Sequence, residues 1–148
     1  MTTTIRPPLP ADEARWRELF RAYGEFYETQ FGDDVLDRVW ALLTTEGSGI
    51  DALLAERDGE VVGFAHFRSF PDTFTGGRDW FLDDLFVDPE VRGTGAGRAL
   101  IEAIVERAHT SGAPATLRWI TAESNATAQA LYDRIATRTS WVTYEKRF

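Results

Sequence analysis

The chain contains no cysteine, which excludes disulfides, thiolate metal sites and cysteine nucleophiles together. Its two histidines, His66 and His109, are widely spaced, so no metal centre is expected. Long apolar runs are missing as well: none approaches the ~18 residues that a bilayer span requires. The opening MTTTIRPPLP has neither the basic start nor the apolar core of a signal peptide. A cytoplasmic protein without membrane contact is the expectation. Positive charge is scarce: 16 Lys and Arg against 24 Asp and Glu leave a formal net charge of -8. That disfavours a nucleic-acid partner and suits a cationic one, although acidity by itself equally serves solubility. No internal repeat, linker or low-complexity segment is present.

What is there suits one domain over residues 1–148, because 148 residues with 43% hydrophobic and 13% aromatic content can fill a single core. Thr3 to Arg6 reads as a short strand ended by prolines. Trp16, Leu19, Phe20, Tyr23, Phe26 and Tyr27 then recur at helical spacing. A second helical pattern, Val35 to Leu43, has Asp33 or Asp34 as its expected cap. IDALLAERDGEVVGFAHFRSF predicts a hairpin about Asp58-Gly59, where both turn positions need positive φ. RDWFLDDLFV predicts a third long strand. From Ala96 the apolar positions return to helical spacing up to Gly112. ATLRWIT follows as a strand, NATAQALYDRIA as a helix and SWVTYEKRF as a closing strand. A meander feeding a strand–helix–strand crossover makes an α/β protein of the α+β mixed-sheet kind, with helices on both faces.

VDPEVRGTGAGRAL, Val87 to Leu100, places glycines at 93, 95 and 97 immediately before a helix. Glycine there lets backbone N–H groups turn inward and a ligand approach without a Cβ in the way. Together with the free amides and positive dipole end of the following helix, they suit phosphate oxygens. The dinucleotide fingerprint needs glycine at position 98, which is Arg98, and the NTPase loop needs Gly-Lys-Ser/Thr, which is absent. A turn and helix cap alone would account for one glycine but poorly for three alternate ones.

RGTGAG, Arg92 to Gly97, preceded by DDLFVDPEV and followed by RALIEAIVERA, resembles the acetyl-CoA pyrophosphate motif of the GNAT superfamily of N-acetyltransferases. ESNATAQALYDRIA, Glu123 to Ala136, is similar to the family's Asn-x-x-Ala-x-x-Leu-Tyr helix. The two motifs stand in the family's order, and the resemblance covers essentially the whole chain. Within the superfamily, WFLDDLFVDPEVRGTG and VTYEKRF look most like the branch of fungal histone and polyamine acetyltransferases and D-amino-acid acetyltransferases. Ala136-Thr137 replaces the usual glycine–aromatic pair after the tyrosine helix.

The resemblance implies an acetyl-CoA-dependent N-acetyltransferase with a GNAT-like mixed, mostly antiparallel sheet. It implies that the backbone of Leu85, Phe86 and Val87 meets the pantetheine arm beside a strand bulge, with an N–H near Phe86 directed at the thioester oxygen. Arg92, Gly93, Thr94, Gly95, Ala96, Gly97 and Arg98 would hold the pyrophosphate, with Arg92 at the motif position, and Asn125 would contact the cofactor or cap its helix. Tyr132 becomes the general acid for the departing thiolate, since a phenol of pKa ~10 is protonated at neutral pH; without the resemblance it reads as a core aromatic.

An amine acceptor of pKa ~10 also needs a base or water relay. Asp83 and Asp84, adjacent on a strand, must point to opposite faces unless the strand bulges between them. Two carboxylates in an apolar strand are costly to bury without purpose. Asp83 aligns with the carboxylate proposed as base in the diamine acetyltransferases and is chosen as base or amine anchor, with Asp84 beside it in the substrate site; a salt bridge or solvated edge is the bland alternative. Asp72, Asp79 and Glu123 add negative charge that suits a polyamine or lysine-like amine, and His66 is expected to make a structural hydrogen bond. The acceptor is then a small-molecule or peptide amine. The aromatic C-terminal strand could pair across a homodimer, as in related enzymes. The competing reading is a non-catalytic acyl-CoA-binding or sensing domain.

Overall fold

The computed structural model describes residues 2–112 and 114–148. Five strands, β1 (Thr4–Arg6), β2 (Asp51–Arg57), β3 (Glu60–Pro71), β4 (Arg78–Val87) and β5 (Leu117–Arg118), lie side by side in chain order. The first four pair antiparallel and β5 joins β4 parallel. The β2–β3 turn is Asp58-Gly59, with φ of 52° and 78°. That left-handed pair matches the strand twist, and it is what a two-residue hairpin demands of its sequence.

Helices α1 (Glu13–Phe26) and α2 (Asp33–Leu43) cover one face and α3 (Ala96–Thr110) and α4 (Ala126–Ile135) the other. On the first face Trp16, Phe20 and Leu36 pack on Leu54, Phe64 and Phe86. On the second, Leu100, Ile101 and Ile104 pack on Leu53, Val62, Phe67 and Leu82. With both faces buried, β2 and β3 read as the nearly unbroken apolar runs ALLA and VVGFAHF instead of alternating. Burying Phe64 and Phe67, both 0% exposed, stabilises the fold by about 2 kcal/mol each.

The β3–β4 register shifts once: His66 stands opposite Asp84 and Phe67 opposite Leu82, which leaves Asp83 as an extra residue in β4. The bulge reverses the facing pattern of the strand. Trp80 and Leu82 belong to the α3 face, and beyond the bulge Leu85 and Val87 do so too.

Two expectations differ from the structure. The N-cap of α2 is Gly32, and Asp33 and Asp34 occupy the first turn, where their charge complements the helix dipole and they pair with Arg21 and Arg38. The strands expected at ATLRWIT and SWVTYEKRF are nearly absent. β5 is reduced to two residues paired with Trp80 and Phe81, and 136–148 contains no helix or strand. Only Leu117 and Arg118 meet β4 in register, and residues that pair with no neighbour form no strand whatever their propensity.

Candidate active site

The glycine stretch forms a loop that ends on α3. Gly93 and Gly95 have φ of 82° and 85°, and a Cβ built on either meets no atom within 4 Å. The loop is therefore held in a left-handed conformation in front of open space, at the amide-bearing start of a 15-residue helix. Gly97 differs: its conformation is ordinary, and an added Cβ would make only normal contacts with Val87, Leu131 and Leu85. Ala96 is buried, so only its backbone is available. The Thr94 hydroxyl donates to the Val91 carbonyl at 2.7 Å. Arg92 lies over the Phe86 ring, 5.9 Å from its centroid, at the base of the loop. Arg98 pairs with Glu102 one turn along the helix, at 2.8 Å. Loop and helix start could thus hold a pyrophosphate through main-chain amides, and Arg92 at the base of the loop places its Nε 3.4 Å from the Val87 carbonyl of β4.

Because β5 pairs only with Trp80 and Phe81, the β4 edge from Leu82 to Val87 has no partner strand on that side among the described residues. α4 stands beside this opening. Its N-cap is Asn125, whose side-chain oxygen accepts from the Ala128 N–H at 3.2 Å, as the sequence leads one to expect. Tyr132, on the same helix, packs edge-on against Trp119 with ring centroids 5.2 Å apart. It lines a narrow crevice together with Tyr23, Tyr27, Asp83, Leu85 and Trp119. Burial raises the Tyr132 pKa, so the phenol keeps its proton at neutral pH.

The crevice opens into a cavity of about 470 Å³ walled by Tyr23, Tyr27, Phe31, Asp83 and the 120–122 segment. The bulge answers the question of the two carboxylates. Asp83 reaches the cavity, while Asp84 turns to His66 on the α1 side. The Asp83 carboxyl is half-buried, which raises its pKa; Arg68 Nε, 3.1 Å away, counters part of that. Asp84 is tied to His66 Nδ1 at 2.9 Å. Of the other acidic residues, Asp72 accepts from the Phe74 N–H and the Thr75 hydroxyl, and buried Asp79 holds the Thr116 N–H and Arg118. Both are structural.

Sequence periodicity places Tyr23 and Tyr27 on the apolar face of α1 but gives no sign that they border a cavity. Trp16 and His66 are joined by a hydrogen bond of 3.0 Å across 50 positions, which no local pattern signals.

A mixed sheet parted beyond Phe81, an amide-lined helix start at the parting, and a phenol and a carboxylate sharing one crevice define an acyltransferase architecture. The chain belongs to the Acetyltransferase (GNAT) family, whose profile matches residues 14–136. It is 31% identical over 139 residues to the D-amino-acid N-acetyltransferase HPA3 of Saccharomyces cerevisiae, covering 93% of this chain and 86% of the yeast protein. It is 36% identical over 104 residues to an aminoglycoside N(6')-acetyltransferase type 1 of Stenotrophomonas maltophilia, covering 68% of this chain and 64% of that one. In three dimensions it is similar to the aminoglycoside N-acetyltransferase AAC(6')-Iy, solved in complex with CoA. The TM-score is 0.80 at 22% identity, with 99% of this chain and 95% of that one covered. The protein is thus an enzyme of the acyltransferase class with N-acetyltransferase relatives. No helix among the described residues is long and apolar enough to cross a membrane.

Proposed function

We propose that residues 1–148 form a single cytoplasmic domain that moves an acetyl group from acetyl-CoA directly to a primary amine, working as a homodimer without a metal. The amine is that of a polyamine, a lysine-like side chain or an amino acid. The observation that carries this reading is that Asp83 and Tyr132, from β4 and α4, line one crevice beside the unpaired edge of β4. A non-catalytic acyl-CoA-binding domain would need the Gly93–Gly95 loop but would have no use for that pairing.

Acetyl-CoA, when bound, supplies an acyl group already activated as a thioester. The Gly93, Thr94, Gly95, Ala96 and Gly97 amides and Arg92 bind its pyrophosphate, with Arg98 a peripheral cation. The backbone of Leu85, Phe86 and Val87 receives the pantetheine arm along the unpaired edge, and Asn125 anchors the opposite wall. An N–H of this edge near Phe86 would donate to the thioester oxygen, where negative charge develops. Asp83 takes the proton of the incoming ammonium, a task eased by its raised pKa. Tyr132 donates a proton to the departing thiolate as the C–N bond forms and the C–S bond breaks, and the second proton that the nitrogen sheds restores the phenol. The chain has no cysteine to carry an acyl-enzyme, which supports direct transfer.

The same lack supplies the test, since CoA released from acetyl-CoA can be titrated with a thiol reagent without protein background. Spermidine, putrescine, a lysine-containing peptide and D- and L-alanine make up the panel. At least one amine is expected to release CoA. If acetyl-CoA binds and no amine does so, the non-catalytic reading replaces this one.

A further inference from the structure

Asp83 borders both the crevice and the cavity, whereas Tyr132 lines the crevice alone. The reacting end of an acceptor therefore belongs in the crevice and the rest of it in the cavity. At about 470 Å³ the cavity has the size of a small-molecule site. Its large side chains are the rings of Tyr23, Tyr27 and Phe31, and among its lining residues Asp83 is the single group charged at neutral pH. That carboxylate is already paired with Arg68 Nε at 3.1 Å. The ring wall is built into the fold at Gly24, buried in the last turn of α1. A Cβ there would lie 2.7 Å from Phe31 Cε2 and 2.8 Å from the Thr29 carbonyl oxygen. The Gly24 carbonyl accepts from the Tyr27 and Thr29 N–H groups at 2.9 and 2.8 Å, which turns the chain after the helix. Phe31 then stacks on core Phe20, with centroids 4.5 Å apart and 20° between the planes. Its ring is held by packing on both sides of the turn.

We infer that the acceptor is a monoamine carried on an apolar, ring-sized body, and that Phe31, seated by Gly24, selects that body. This rests on the reading that the site transfers to an amine. One carboxylate matches one ammonium. A diamine or polyamine would bring a second cation into the cavity, where it loses hydration and meets no second carboxylate among the lining residues. A lysine stem is a slim chain that leaves the three rings largely uncovered. An aromatic or large aliphatic body removes its own surface and that of the rings from water together. Of the acceptors proposed above, the cavity thus selects an amino acid with a side chain of that kind.

The test adds two matched pairs to the panel above, each differing by one phenyl ring: phenylalanine against alanine, in both enantiomers, and 2-phenylethylamine against ethylamine. In any pair that is turned over, the ring-bearing member should have a kcat/KM roughly tenfold or more above its partner, and above putrescine and spermidine. Phe31→Ala should lower kcat/KM for the ring-bearing member about tenfold while leaving its partner within about twofold. Acetyl-CoA affinity by calorimetry should not change, and Phe31→Leu should restore part of the preference. If Phe31→Ala fails to fold, the pairs measured on the unaltered protein and on Phe31→Leu decide. Equal rates within the pairs, a higher kcat/KM for putrescine or spermidine, or a ring preference untouched in Phe31→Ala would each overturn the inference while leaving amine transfer intact. Failure of the unaltered protein to turn over any amine overturns both.

Discussion

Asp83 and Tyr132 owe their chemistry to the same cause, partial removal from water, acting on opposite sides of neutrality. A carboxylate loses hydration when buried and its pKa rises toward neutrality; a buried phenol rises away from it. In the proposed roles, the first shift makes Asp83 a better base and the second makes Tyr132 a more secure acid. For a base that works ionised, kcat/KM falls on the acid side at the base's own pKa, so the acid limb should lie above the ordinary carboxylate range. Asp83→Asn should abolish that limb and lower kcat/KM about 100-fold. Arg68→Ala, which removes a contact that lowers the Asp83 pKa, should shift the limb to higher pH; a shift to lower pH would reject Asp83 as the base. Tyr132→Phe should leave acetyl-CoA affinity unchanged and reduce kcat by about 100-fold, as read by binding calorimetry alongside steady-state rates. An unchanged kcat would return Tyr132 to the role of a packing residue against Trp119. Both residues stand out in the sequence through the motifs that contain them. Tyr23 does not, because an aromatic at helical spacing has the same appearance whether it faces a core or a cavity.

At the scale of elements, the loop between β4 and α3 and the bulge within β4 do most to shape the site. The loop is legible residue by residue: Gly93 and Gly95 take the left-handed conformations for which glycine is suited, and the space before them is open. Gly95→Val places a β-branched side chain at φ 85°, a conformation costing about 1–3 kcal/mol, and fills the approach to the helix amides. Acetyl-CoA binding by calorimetry should be lost while the far-ultraviolet circular dichroism is retained; normal affinity would refute the loop assignment. The bulge is different. Asp-Asp in an apolar strand signals that something must be reconciled with strict alternation, but which residue is extra is decided by the pairing of β3 with β4. The opposite error occurs at β5, where an apolar, aromatic segment looks like a longer strand than the two residues that find a partner.

For the molecule as a whole, the unpaired C-terminal segment bears on assembly. Trp141, Val142 and Tyr144 are 80%, 74% and 91% exposed, an apolar series that one copy of the chain leaves in water. The proposed homodimer would cover it. Light scattering should then give about twice the 16.7 kDa of the chain, and removal of residues 139–148 should halve that mass. A full-length monomer would end the dimer proposal without touching the site on β4 and α4.

The sequence by itself determined the order of elements as far as α4, the hairpin at Asp58-Gly59, the left-handed glycines at 93 and 95 and the cap at Asn125. Each depends on neighbours within a few positions, through φ, spacing or a side chain reaching its own backbone. Tertiary structure alone decided that Asp83 enters the cavity while Asp84 turns to His66, that β5 stops after two residues, and that Trp16 meets His66 across 50 positions. These outcomes depend on strand register and on contacts between residues far apart in the chain, whose geometry exists only once both faces of the sheet are packed.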